Sequence, residues 1–151
     1  MTDSHVVVRE VAPTDAPEVA RLFAELGYSW PTHTIAARLA AFLATGEHAL
    51  VATRPLAQAP LLGVLTLHIT PVLHRAGPVG RLTSLVVDES ARGQGVGRAL
   101  VASAEHYFAA HGCVMVEVTS NKRRADAHAF YEHLGYSGTS FRFAKSLSPA
   151  D

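Results

Sequence analysis

Apolar positions along this chain repeat with two periods, and the switches between them mark the elements. Residues 5–11, His5-Val6-Val7-Val8-Arg9-Glu10-Val11, form a β-branched run that predicts a strand. Val19, Leu22, Phe23 and Leu26 then recur at helical spacing. Asp15 reads as the N-cap of that helix, with Pro17 in the first turn and Glu18 three residues on to complete a capping box; Gly27 ends it. Pro31-Thr32 opens a second helix that turns Ile35, Leu39, Phe42 and Leu43 inward and stops at Gly46. Strands are predicted at 48–53 and 61–69, with Pro-containing loops at 54–60 and 71–78, and a further strand ends at Val87. A helix over about 96–111 carries Ala99, Leu100, Ala104, Tyr107 and Phe108 on one side and stops at Gly112. A strand at 114–119, a short helix at 125–134 stopped by Gly135, and a final strand around Phe141-Arg142-Phe143 complete the pattern. The order β-α-α-β-β-β-α-β-α-β predicts a mixed α/β domain with helices on both faces of a twisted sheet. No internal repeat interrupts it.

Composition narrows the class without naming a chemistry. The 151 residues suit a single domain, and 48% hydrophobic with 17% charged content is ordinary for a globular one. Lys+Arg and Asp+Glu both number 13, so the net charge is zero, and neither nucleic acid nor an anionic membrane is an expected partner. The lone cysteine, Cys113, rules out a disulfide framework and fits a reducing, cytoplasmic setting; within Cys113-Val114-Met115-Val116 it reads as a small buried apolar residue. The first nine residues lack a signal-peptide pattern, and no apolar run is long enough to span a bilayer. There are 9 histidines, but no pair has His-x-x-x-His spacing, so no dedicated metal site is expected.

Candidate chemistry concentrates between Leu82 and Leu100. A strand, the polar loop Asp88 to Arg92, and glycines at 93, 95 and 97 lead into a helix. Such glycines let a bound group approach the backbone, and the first-turn amides of the helix lack internal partners. Together they form a seat for a phosphate or diphosphate. A Gly-x-Gly-x-x-Gly dinucleotide turn does not fit: the third glycine falls at Leu100 or Arg98 in the two possible frames. In its favour, Glu117 stands about 20 residues beyond the glycines, where a ribose-binding acid belongs. A P-loop fails because no Gly-Lys-Ser/Thr follows.

Arg92-Gly93-Gln94-Gly95-Val96-Gly97 resembles the Arg/Gln-x-x-Gly-x-Gly/Ala signature of the GNAT superfamily of acetyl-CoA-dependent N-acetyltransferases. Downstream, the stretch from Ser120-Asn121 through Ala125, Phe130-Tyr131 and Leu134-Gly135-Tyr136 is similar to the later motif of that family, in the right order. The tail from Asp126 to Lys145 resembles a bacterial branch acting on small free amines, including aminoalkylphosphonate acetyltransferases.

The resemblance implies the acyl-CoA N-acyltransferase fold, a mostly antiparallel α/β sheet, as one domain over residues 1–151. It implies transfer of acetyl from acetyl-CoA directly to a primary amine of a small molecule, with no metal, in a homodimer; a non-catalytic acyl-CoA sensor or interaction module is the alternative. The Leu85-Val86-Val87 segment would splay from the next strand and bond the pantetheine arm through the backbone of Leu85 and Val87, as an added strand does. The amides around Gly93, Gln94, Gly95, Val96, Gly97 and Arg98 would hold the pyrophosphate, with charge from Arg92. Asn121 would bond the pantetheine, and Lys122-Arg123-Arg124 would meet the 3′-phosphate or an anionic substrate. Tyr131 would be the general acid for the departing thiolate. Many relatives place a carboxylate just before the Leu-Val-Val segment; here Thr83 and Ser84 stand there. With an alkylamine pKa near 10.4, only about one amine in a thousand is neutral at pH 7, so a base is needed, and His68 and His74 are the candidates. Glu25, Tyr28, Trp30 and His33, together with Ser84, are assigned to the acceptor, an aromatic and an acid being able to receive a cationic amine.

Overall fold

A computed structural model describes residues 5–119 and 125–149. The chain divides into two compact units, Met1–Val118 and Thr119–Asp151. In the first, the elements are β1 (Val7–Glu10), α1 (Ala16–Leu26), α2 (Thr32–Ala44), β2 (His48–Thr53), β3 (Leu61–Thr70), β4 (Val79–Val87), α3 (Val96–Ala110) and β5 (Met115–Val118). The strands lie side by side in sequence order, antiparallel from β1 to β4, with β5 parallel to β4. A parallel neighbour requires a crossover, and α3 supplies it.

Alternation decides which residues meet which layer. Ala49 and Val51 of β2, Val64 of β3 and Val86 of β4 join Val19 and Leu22 of α1 and Ile35 and Leu39 of α2 in one core cluster. The other face of β2, β3 and β4 carries α3. The apolar side of α3 is Val96, Leu100, Val101, Ala104 and Phe108, all buried; Ala99 and Tyr107, expected there, are only partly covered. Two glycines let α3 sit this close. A Cβ on Gly63 would stand 3.0 Å from Leu100, and one on Gly80 would stand 2.4 Å from the Phe108 ring. Gly80→Ala is expected to cost about 1–3 kcal/mol by overpacking, read as a lowered denaturation midpoint with unchanged slope, and Phe108→Leu in that background to recover part of it.

The first helix begins differently from the sequence expectation. Asp15 does stand at the N-cap position of α1, but it ends a short 3-10 turn, Pro13–Asp15, in helical dihedrals, and its side chain does not cap the helix. Its carboxylate accepts instead from the Ala12 amide at 2.7 Å and from Arg9 at 2.8 and 2.9 Å. The capping partners are thus Ala12 and Asp15. Glu18 is turned outward to Arg21 and to the Leu61 amide, tying α1 to the start of β3.

In the second unit, α4 (Ala125–His133) ends where Gly135 takes φ +93, with its amide on the Glu132 carbonyl and that of Tyr136 on the Tyr131 carbonyl. Tyr131 stands edge-on to Phe130 and Tyr136, with ring centroids 5.1 and 5.8 Å away. The strand expected at Phe141-Arg142-Phe143 is not formed. The segment is in no ladder among the described residues, and Phe141 and Phe143 are largely exposed. Alternation makes a segment able to be a strand; only pairing makes it one.

Candidate active site

The site is built where β4 and β5 part. Their register runs from Val79↔Met115 to Leu82↔Val118 and stops, whereas β4 stays paired with β3 to Val87↔Gly63. Among the described residues, one side of β4 beyond Leu82 therefore has no strand beside it. The Asp88 amide donates to the Leu62 carbonyl of β3, at 2.7 Å. Since N–H and C=O directions alternate along an antiparallel pair, Val86 also faces β3, and the polar backbone of Leu85 and Val87 points to the open side. These are the two residues the resemblance assigns to an amide-bearing arm.

A turn then carries the chain into α3. Gly93 and Gly95 adopt φ +77 and +82, which residues with a Cβ rarely take, and nothing lies within 4 Å of where their Cβ atoms would be. Gly95 is the cap residue of α3 and its carbonyl accepts from Ala99 at 3.0 Å, so the first-turn amides through Arg98 have no acceptor within the helix. Open space, left-handed glycines and a positive helix end coincide here. Arg92 and Gln94 are exposed at the rim, while Val96 and Gly97 are buried and serve packing.

Side chains that the sequence reading missed hold this turn in place. Asp88 accepts from the Ser90 amide and hydroxyl at 2.9 and 2.6 Å, and Arg21 of α1 reaches across to its other oxygen. Arg21 also donates to Glu18 and to the Leu61 carbonyl. The Ser90 hydroxyl and then the Arg21 guanidinium hold the Asp88 carboxyl down to about 2. Because the folded value is depressed, this tie contributes fully above the ordinary carboxylate range and is lost as pH falls toward 2. Arg54, just past β2, donates to the Gln94 side chain, which places another cation beside the turn. The available signals were the Glu18/Arg21 helical spacing and the Asp-x-Ser sequence of an Asx turn.

At the fork itself three hydroxyls meet. Register shifts between Thr66 and Leu67, so that Thr66 faces Ser84 while Leu67 faces Leu82, and Thr83 is the extra residue. The bulge lets both Thr83 and Ser84 share hydrogen bonds with the Thr66 hydroxyl. The positions expected to lack a carboxylate carry this cluster.

The remaining candidates are dispersed. Glu25, Tyr28, Trp30 and His33 are all exposed around the α1–α2 connection. The Arg38 guanidinium lies 4.1 Å above the Trp30 ring, so the protein's own cation already occupies one face of that aromatic. His74 is exposed in the loop after β3, whereas His68 bonds Glu47. Burial pushes the Tyr131 phenol up, which keeps it protonated at neutral pH. Asn121 and Lys122-Arg123-Arg124 lie outside the described residues. Among those described, no group of three or more His, Cys, Asp or Glu is placed to hold a metal, and no helix is long and apolar enough to cross a membrane.

The dinucleotide alternative loses its support. Its fold needs a largely parallel sheet with the glycine turn after the first strand; here the turn follows the fourth strand of a mostly antiparallel sheet. Glu117 is engaged by Arg81, 3.5 Å away.

Comparison with known proteins agrees with the geometry. The Acetyltransferase (GNAT) family matches residues 16–136. Over 87 residues the chain is 39% identical to an aminoalkylphosphonate N-acetyltransferase of Salmonella typhimurium; the match covers 58% of this chain and spans only about half, 56%, of that protein. Over 141 residues it is 34% identical to an aminoglycoside N(6')-acetyltransferase type 1 of Klebsiella aerogenes, covering 87% of this chain and 88% of that protein. A Trypanosoma brucei acetyltransferase structure superposes with a TM-score of 0.80 at 24% identity, over 95% of this chain and 100% of that one, which shows the shared fold. The chain belongs to the GNAT family of acetyltransferases, N-acetyltransferases whose cosubstrate is acetyl-CoA.

Proposed function

We propose that the chain acetylates the primary amine of a small, charged molecule, with an aminoalkylphosphonate or an aminoglycoside as the first acceptors to try. The observation that carries this reading is the fork: a stretch of β4 with no strand on one side among the described residues, the backbone of Leu85 and Val87 turned to that side, running into a glycine turn at a helix end. That order suits an amide-bearing arm followed by a pyrophosphate, and acetyl-CoA carries both. The names of the two relatives support the acceptor class. In this reading Leu85 and Val87 pair with the arm, Val86 anchors the strand from behind, and the amides from Gly93 to Arg98 take the pyrophosphate. Arg92 adds charge, Asn121 binds the arm, and Tyr131 is the acid. Glu25, Tyr28, Trp30, His33 and Ser84 shape the acceptor side.

The chemistry is mostly positioning. The amine nitrogen attacks the thioester carbon, the C–N bond forms, and the C–S bond breaks with its electron pair leaving on sulfur. We read the whole chain as one such domain, because the family match runs through both units. A cytoplasmic homodimer completes the proposal; the lone cysteine supports the compartment, and the family resemblance supports the dimer.

The test is thermal unfolding with acetyl-CoA and, separately, NADH. Acetyl-CoA at about 100 times its dissociation constant should stabilise by roughly 2.7 kcal/mol and raise Tm by about 5–10 °C. NADH should leave Tm unchanged. Thiol release with 2-aminoethylphosphonate or an aminoglycoside then establishes transfer. A Tm shift without release for any amine would instead favour an acyl-CoA sensor.

A further inference from the structure

We propose that His68, oriented by Glu47, is the general base that deprotonates the acceptor amine; the inference rests on the acetyltransferase reading above. Both Glu47 carboxylate oxygens lie 2.8 Å from His68 Nδ1. A carboxylate only accepts, so the Nδ1 proton is fixed toward Glu47, and the lone pair of the neutral ring sits on Nε2. This is the base-and-orienter arrangement that makes an imidazole useful for proton abstraction.

Its place in the sheet suits that role. Val64 belongs to the core cluster beneath α1 and α2, so by alternation Thr66 and His68 face the same side. Val86 belongs to that cluster too, which puts Ser84 on the same face. His68 thus lies two residues, about 7 Å, along β3 from the hydroxyl cluster at the fork. Its register partner on β4 is Arg81, in the row just before the last β4–β5 pair. The α1–α2 connection, with Glu25, Tyr28, Trp30 and His33, belongs to the layer on this face. The ring is half-exposed, open to a substrate. The charged groups in its row on this face are Glu47 before β2, Arg81 of β4 and, paired with Arg81, Glu117 of β5; His48 and Tyr107 stack on each other on the α3 side. The hydroxyls of Thr66, Thr83 and Ser84 are too weakly basic for the task and are spent on one another.

The step balances simply. An R–NH3+ acceptor gives one proton to Nε2, the freed lone pair forms the C–N bond to the acetyl carbon, and the C–S bond breaks with its electron pair on sulfur. The second N–H proton, made acidic by the new bond, is matched by the one the thiolate takes up as it leaves as thiol. The imidazolium is held by Glu47 until it releases the proton to solvent.

The decisive measurement is a pH profile of kcat/KM for 2-aminoethylphosphonate, or for an aminoglycoside if that is the better acceptor. His68→Gln should lower kcat/KM about 100-fold at pH 7. The deficit should shrink toward wild type near pH 10, where the amine deprotonates unaided. The Tm shift with acetyl-CoA should stay as in wild type. Glu47→Ala should give a smaller loss with the same trend. A loss equal at every pH, or none, overturns the proposal. Nitrogen-15 NMR needs no acceptor: in wild type the neutral His68 ring should carry its proton on Nδ1, and Glu47→Ala should release that preference. A proton on Nε2 in wild type also overturns the proposal. Absence of any acetyl-CoA shift would sink the acetyltransferase reading instead, while the NMR result still decides the orientation of the base.

Discussion

Tyr131→Phe is expected to lower turnover by about 100-fold while leaving acetyl-CoA affinity within about two-fold of wild type. Attack on the thioester expels a thiolate whose acid has a pKa of about 8.5, and an ordinary phenol lies near 10. Burial pushes the Tyr131 phenol above that ordinary value. Complete proton transfer to sulfur is therefore uphill by at least about 2 kcal/mol, and the main contribution of the hydroxyl is a hydrogen bond that strengthens as charge develops on sulfur. Such a bond is weak in the ground state, so its loss appears in kcat and not in coenzyme binding. The ring also packs edge-on against Phe130 and Tyr136, and phenylalanine preserves those contacts. Single-turnover thiol release, with the acetyl-CoA Tm shift as the binding control, separates the two quantities. Unchanged turnover would remove Tyr131 from the reaction.

The fold was legible where two signals agreed. Helix α3 has an apolar stripe, a glycine-rich start and a glycine stop, and its expected bounds lie within a residue of the observed ones. The tail departs from expectation because Phe141-Arg142-Phe143 offers alternation alone, with no ladder among the described residues to complete it. At Asp15 local spacing fitted a cap, but Arg9, six residues back, competes for the same carboxylate. Arg9 belongs to β1, so this bond exists only once strand and helix meet. The same reason hides most of the site. The glycine turn is contiguous and readable, while the Arg21–Asp88 tie joins α1 to the end of β4, and Glu47–His68 joins the residue before β2 to β3. Contacts of that kind are set by register, and register leaves no trace in any single window of sequence.

Gly95→Asp is expected to weaken acetyl-CoA binding at least 100-fold and to abolish its Tm shift, while the protein still folds. Gly95 has φ +82, and a Cβ there meets no atom within 4 Å, so the main cost of the change in the free protein is backbone strain. For aspartate, among the residues most tolerant of left-handed dihedrals and favoured at helix caps, that strain is about 1 kcal/mol. The empty volume above the turn is the feature that matters: it is where the pyrophosphate is proposed to lie. An aspartate there fills that space and sets a carboxylate beside two phosphates, and its oxygens compete for the same first-turn amides. Gly95→Ala separates the two effects. Alanine brings strain and bulk without charge, so it should weaken binding less, and its deficit should not change with salt. The additional deficit of aspartate should diminish as ionic strength rises, since repulsion at an exposed turn is screened. Normal acetyl-CoA binding by the aspartate variant would place the pyrophosphate elsewhere and leave the glycines as turn formers only.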